Sequence, residues 1–193
     1  EIPLRLVGSE MCIRDRSYNH PILENLSFIL KDGENLGIFG KSGIGKTTII
    51  NLILGLEKPD QGFIKRDFKK ASVVFQENRL IDEISALDNL KILSDNIDLA
   101  KSILNKFGIF DVDKSVNLFS GGMQRRVALA RAYLFDGDIL IMDEPFKGLD
   151  FNSKKDLARL IKQKFKDKSI IIVSHNLDDY KLFDISNENI IFL

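Results

Sequence analysis

The sequence predicts an α/β fold with a mainly parallel sheet covered on both faces, and three observations predict it. The short apolar runs 36–39, 71–75, 139–142 and 170–173 lack polar alternation, as strands buried on both faces do. Stretches with helical spacing separate these runs, the order that builds a parallel sheet. The first run also feeds a glycine-rich turn, Gly40-Lys41-Ser42-Gly43-Ile44-Gly45-Lys46-Thr47, with a helical pattern directly behind it.

Taken in order, residues 26–30 read as a strand and Lys31-Asp32-Gly33-Glu34 as its turn. The run 36–39 is the next strand, and a helix over 48–54 stops at Gly55. Lys58-Pro59-Asp60-Gln61-Gly62 reads as a turn, and 71–75 as a buried strand ending at Gln76. Strand signals then cease between Asp82 and Lys114. Leu99, Ala100, Ile103, Leu104 and Phe107 fall at helical spacing and predict one apolar face, ended by Gly108. Met123, Val127, Ala130 and Leu134 line a further helix. Strands return at 139–142 and 170–173, with an amphipathic helix on Leu157, Leu160, Ile161 and Phe165 between them. A helical insert over 81–131 therefore interrupts the core.

A chain of 193 residues suits one domain with a sizeable core. Lys+Arg and Asp+Glu are both 28, so no global field argues for nucleic acid or an anionic membrane surface. The charged stretch 162–168 reads as the solvated side of a helix, and Asp178-Asp179 as the start of another. A single cysteine, Cys12, excludes a disulfide framework and fits a reducing cytosol. No apolar run approaches the roughly 20 residues that span a bilayer, so work at a membrane would need another subunit to hold the chain there.

Residues 1–16 look foreign to the rest. Leu6-Val7-Gly8-Ser9-Glu10-Met11-Cys12-Ile13-Arg14-Asp15-Arg16 has neither strand alternation nor a helical stripe, and lacks the order of a signal peptide. It resembles a translated sequencing-adapter fragment. The segment is expected to be non-native or irregular, and Cys12 is given no function.

Residues 40–47 match G-x-x-x-x-G-K-[ST], with the strand before and helix after that a P-loop requires. Its glycines let backbone N–H groups turn inward around phosphate oxygens, and the following helix adds its positive end. Lys46 would reach the β- and γ-phosphates, and the Thr47 hydroxyl would ligate Mg²⁺. Ser120-Gly121-Gly122 opens a helix and is also suited to an anion. Two such sites suggest ATP held between two copies of the chain. Asp143 and Glu144 end a buried strand on the ligand side of the sheet. Asp143 suits the Mg²⁺ shell, and Glu144 can accept a proton from an attacking water. His175 and Gln76 follow two other strands and join the same rim, where Gln76 would orient the metal or the water.

From Tyr18 to Leu193 this set resembles the ATP-binding cassette (ABC) ATPase family. The resemblance implies a P-loop NTPase core, a mainly parallel sheet, a small antiparallel β part and an inserted helical subdomain. It implies a single domain over 17–193, with the core at 17–80 and 132–193 and the helical part at 81–131. It makes residues 40–48 (Gly40, Lys41, Ser42, Gly43, Gly45, Lys46, Thr47 and Thr48 among them) the Walker A loop and Gln76 the Q-loop residue. Ser120, Gly121 and Gly122 become the signature, though Phe119 and Met123 depart from the usual Leu and Gln. Asp143 and Glu144 match the Walker B acids, Lys147-Gly148-Leu149-Asp150 the D-loop, and His175 the switch histidine. Tyr18 resembles the aromatic that stacks on adenine.

Asp143-Glu144-Pro145-Phe146, with Phe after Pro, resembles importer cassettes. Phe75-Gln76-Glu77-Asn78-Arg79-Leu80, Ser85-Ala86-Leu87-Asp88-Asn89 and Ser120-Gly121-Gly122-Met123-Gln124-Arg125-Arg126 look like the nitrate, sulfonate and taurine importer group. The implied protein is the ATP-hydrolysing subunit of a bacterial importer at the cytoplasmic face of the membrane. It would use ATP and Mg²⁺, pair with a second copy and with membrane permease subunits, and serve a solute-binding protein indirectly, with no nucleic acid. Phe75, Leu80, Ile81, Ile84 and Leu87 are candidates for a groove that receives a permease helix. An exporter or lipoprotein-extraction ATPase of the same fold is the alternative, disfavoured by Phe146. A soluble cassette acting on ribosomes or DNA would usually carry two cassettes or long coiled-coil insertions. A plain P-loop kinase would leave Ser120-Gly121-Gly122 unexplained.

Overall fold

A computed structural model describes residues 8–17 and 21–193, with side chains from Leu26 onward. Its main sheet holds five parallel strands in the order β5-β6-β7-β3-β8. They are β3 (Asn35–Phe39), β5 (Ala71–Val74), β6 (Ile139–Asp143), β7 (Ser169–Ser174) and β8 (Ile190–Phe192). A second sheet is antiparallel, with β1 (Gly8–Ser17) between β2 (Pro21–Lys31) and β4 (Gln61–Lys65). The α/β class and mainly parallel sheet are as expected.

Strand side chains alternate between two apolar cores, which is why the central runs show no polar period. Ile139, Ile141, Ile171 and Val173 face one core with Ile49, Ile50, Leu52 and Ile53 of α1 (Lys46–Leu54). Leu140, Met142, Ile170 and Ile172 face the other. That second core is shared with α2 (Ala86–Lys91), α3 (Ile97–Lys106), α4 (Gly121–Phe135), α5 (Phe151–Lys164) and α6 (Leu177–Lys181). Gly37 lets Tyr180 lie against β3, since a Cβ there would meet the ring at 2.8 Å. The Tyr180 hydroxyl donates toward Ile38 O and Ser174 O and accepts from Ser174 N, tying α6 to two strand ends.

Several expectations are corrected. Residues 8–16, part of the segment 1–16 expected to be non-native or irregular, form β1 together with Ser17, and this strand pairs with both β2 and β4. Backbone hydrogen bonds make that pairing, and they need no apolar alternation. The expected turn at 58–62 runs into β4, and β8 was not anticipated. Leu99, placed on the apolar face of α3, is 45% exposed, whereas Ala100, Ile103, Leu104 and Phe107 are buried. Of the expected groove residues, Leu87 belongs to the core and only Ile81 is a well-exposed apolar side chain. A groove of about 260 Å³ lies instead between Ala71 and Val73 of β5 and Ile92, Leu93, Ala132 and Phe135. Among the described residues no helix is long and apolar enough to cross a membrane.

Candidate active site

Strands β5, β6, β7 and β3 lie side by side in one direction, so the residues following each emerge at one edge. Phe39 pairs with Ser174 and Asp143 with Val173. Gly40, Glu144 and His175 therefore leave the sheet at nearly one level, with Gln76 three strands along from β3, after β5, at the same edge.

Gly43 (φ +83°) and Gly45 (φ +106°) take left-handed backbone, open to glycine without steric cost. Helix α1 then starts at Lys46 with no side-chain cap. The other α-helices among the described residues are each capped, by Ser85, Asn96, Ser120, Asp150 and Asn176. The first N–H groups of α1 are thus left for an anion, with the positive helix end behind them. Lys46, only 7% exposed, donates from Nζ to Gly40 O (2.7 Å) and Lys41 O (3.1 Å). Its Nζ also lies 3.8 Å from Glu144 Oε1.

Ser42, Gly43, Gly45, Lys46, Thr47, Thr48, Gln76 and Glu144 line a cavity of about 280 Å³. A second, of about 310 Å³, is walled by Phe39, Gly40, Lys41, Ser42 and His175. Asp143 is buried, and Thr47 Oγ1 donates to its Oδ2 at 3.1 Å. Burial above all, helped by the neighbouring Glu144 charge, raises the Asp143 carboxyl above the ordinary carboxylate range; Thr47, Lys46 and Arg125 oppose this. Such a carboxylate is short of positive charge, so the pair of Thr47 and Asp143 fits a divalent cation. No cluster of three or more metal-ligating His, Cys, Asp or Glu exists among the described residues. The remaining ligands would have to be water and phosphate oxygens, the usual habit of Mg²⁺.

Glu144 has left-handed backbone (φ +47°), uncommon for a residue with a Cβ. Its N–H donates to Val173 O at 2.8 Å. Its Oε1 accepts from the His175 N–H (3.1 Å) and from His175 Nδ1 (2.7 Å). Acid and histidine are therefore joined, as their strand ends suggested.

Ser120, Gly121 and Gly122 do not line either cavity. Ser120 is exposed and caps α4, its Oγ accepting from Met123 N at 3.3 Å. Gly122 packs beside the turn at Gly148, whose O would lie 3.2 Å from a Cβ there. Asp150 caps α5 through the Ser153 N–H (3.0 Å). Tyr18 lies outside the described residues. Sequence reasoning missed Arg125, which is buried beneath the acids and donates to backbone carbonyls around them.

Residues 23–147 match the family model described as ABC transporter. The chain belongs to the ABC transporter family. A taurine import ATP-binding protein of Pseudomonas aeruginosa is 31% identical over 187 residues, covering 88% of this chain and 71% of that protein. A lipoprotein-releasing system ATP-binding protein of Buchnera aphidicola is also 31% identical, over 220 residues, covering 98% of this chain and 96% of that protein. Among solved structures, a dimeric bacterial ABC transporter cassette superposes with a TM-score of 0.85 at 26% identity, covering 96% of this chain and 94% of that one. The same cassette in a dimeric post-hydrolysis state with ADP and Pi gives 0.81 at 25% identity, with the same coverage. This chain is thus a nucleotide-binding cassette of the ATP-hydrolysing kind.

Proposed function

We propose that this cassette is the ATP-hydrolysing subunit of a bacterial importer. It would power solute uptake through partner membrane subunits from the cytoplasmic face of the membrane, with a solute-binding protein acting upstream. The observation that carries the reading is a divided site. One chain offers the uncapped loop, Lys46 and the acids at one edge, while its Ser120-Gly121-Gly122 lines neither cavity there. Two copies related by a two-fold axis would each complete the other's site.

In this reading Lys46 and the amides of residues 43–48 bind the β- and γ-phosphates. Thr47 and Asp143, with Gln76, hold Mg²⁺, which offsets phosphate charge when bound. Tyr18 stacks on adenine. The γ-phosphate competes for Lys46, now within 3.8 Å of Glu144. Glu144 keeps its bonds from His175 and takes the proton of the attacking water. Ser120, Gly121 and Gly122 of a second copy close over the γ-phosphate, and hydrolysis reopens the pair.

The taurine import relative supports an importer, as does the resemblance at Pro145-Phe146. The lipoprotein-releasing relative supports a second reading, because its similarity runs over nearly both whole chains. Identifying the membrane subunit that co-purifies with the tagged cassette decides between them. An importer permease with a solute-binding protein is expected; an exporter-type or lipoprotein-releasing subunit would overturn the importer reading.

A further inference from the structure

We infer that Arg125 is a positioning residue for hydrolysis, clamping the backbones that carry Gln76 and Glu144 to the helix that begins with Ser120-Gly121-Gly122. The inference rests on the roles proposed above for those residues.

Arg125 lies in α4 and is 3% exposed. Its Nε donates to Pro145 O at 2.9 Å. Nη1 donates to Phe75 O (2.5 Å) and Asn78 Oδ1 (3.2 Å). Nη2 donates to Glu144 O (2.7 Å) and to Asp143 O. A guanidinium has five N–H groups, and here the five bonds use all of them. None goes to a carboxylate. The acceptors are four backbone carbonyls and one amide oxygen, gathered from two segments 18 to 50 residues away. Burial pushes the guanidinium down to about 10, opposed by Asp143 and Glu144, which leaves it charged at neutral pH.

The choice of acceptors is what points to positioning. Asp143, Glu144 and Pro145 give three consecutive carbonyls, so three successive peptide planes are fixed. The middle residue is the left-handed Glu144, whose carboxylate direction depends on those planes. Phe75 and Asn78 flank Gln76, so its loop is held on both sides. The neighbouring Arg126 turns elsewhere, to Phe107 O and Ser153 Oγ, and touches neither segment. A shift of α4 at Ser120 would therefore reach Gln76 and Glu144 together through one side chain. A lysine presents its donors from a single point and cannot span acceptors set this far apart.

The test compares full-length wild type with Arg125→Gln, Arg125→Lys and Asn78→Ala, with rates expressed per bound ATP. For both Arg125 variants kcat should fall by about 10- to 100-fold while KM stays near wild type, because the loop that binds phosphate is untouched. Lysine should fail to rescue. Asn78→Ala keeps the charge and removes one acceptor, so it should lower kcat less, again without raising KM, and it gives the answer should the Arg125 variants not fold. Wild-type kcat in Asn78→Ala and Arg125→Gln, or full rescue by lysine, would overturn the clamp. Glu144→Gln assayed beside them separates the two ideas: if it hydrolyses ATP at the wild-type rate, the assigned role of Glu144 fails, whatever Arg125 does.

Discussion

At Glu144 a left-handed backbone, two bonds from His175 and a lysine 3.8 Å away act on one buried carboxylate. Glu144→Gln keeps size and hydrogen bonding but cannot take up a proton at neutral pH. Turnover should fall about 10²- to 10⁴-fold with ATP affinity retained, as measured by steady-state hydrolysis and nucleotide titration. Lys46→Ala should do the reverse, weakening binding before any chemistry. Asp143 makes a prediction about stability. Its folded pKa lies above the ordinary 3.8, so the ionised form opposes folding. The stability it contributes is fully present below 3.8 and is lost as pH rises through the raised value. Asp143→Asn should therefore raise the ligand-free melting temperature at pH 7, by roughly 2–4 °C if about 1 kcal/mol is relieved. The gain should shrink as pH falls toward 3.8, and a lower-melting variant at pH 7 would contradict this account. The residues that meet at the cavities were legible because loop chemistry is local: spacing alone places Lys46 and Thr47, and strand ends place Gln76, Glu144 and His175. Arg125 was not legible, because its meaning lies in carbonyls far away in the chain.

In the main sheet the strands read correctly are those with core on both sides, since β3, β5, β6 and β7 had to be continuous apolar runs, and helical spacing placed α1, α3, α4 and α5. Strand β4 is mostly exposed and β8 is three residues long, so neither has a period to read. Leu99 satisfied the spacing of α3, yet the position lies at the border of the buried stripe, where spacing does not decide exposure. Strand β1 is the instructive case. Its place between β2 and β4 depends on backbone bonds, while Gly8, Ser9 and Asp15 are poor strand formers. We propose that residues 1–16 are non-native, in which case the part of them in β1, 8–16, would be poorly matched to the slot it fills. Replacing 8–17 with alternating Thr and Val should then raise the melting temperature by at least about 2–4 °C. An unchanged or lower value would mean that the present sequence is matched to its neighbours.

For the whole molecule, the proposed sandwich requires that Ser120-Gly121-Gly122 meet nucleotide held by another copy. Gly121 offers the sharpest probe. It is exposed, a Cβ there meets nothing within 4 Å, and an acid in the first turn of α4 suits the helix dipole. Gly121→Glu should therefore fold normally and bind ATP, yet set a carboxylate against the γ-phosphate of the opposing site. The decisive measurement is the mass in solution of Glu144→Gln protein with and without Mg·ATP, alone and combined with Gly121→Glu. The account predicts a monomer without nucleotide, a dimer with ATP, and a nucleotide-bound monomer once Gly121→Glu is added. A monomer at every concentration with ATP bound, or an ATP-dependent dimer indifferent to Gly121→Glu, would contradict it.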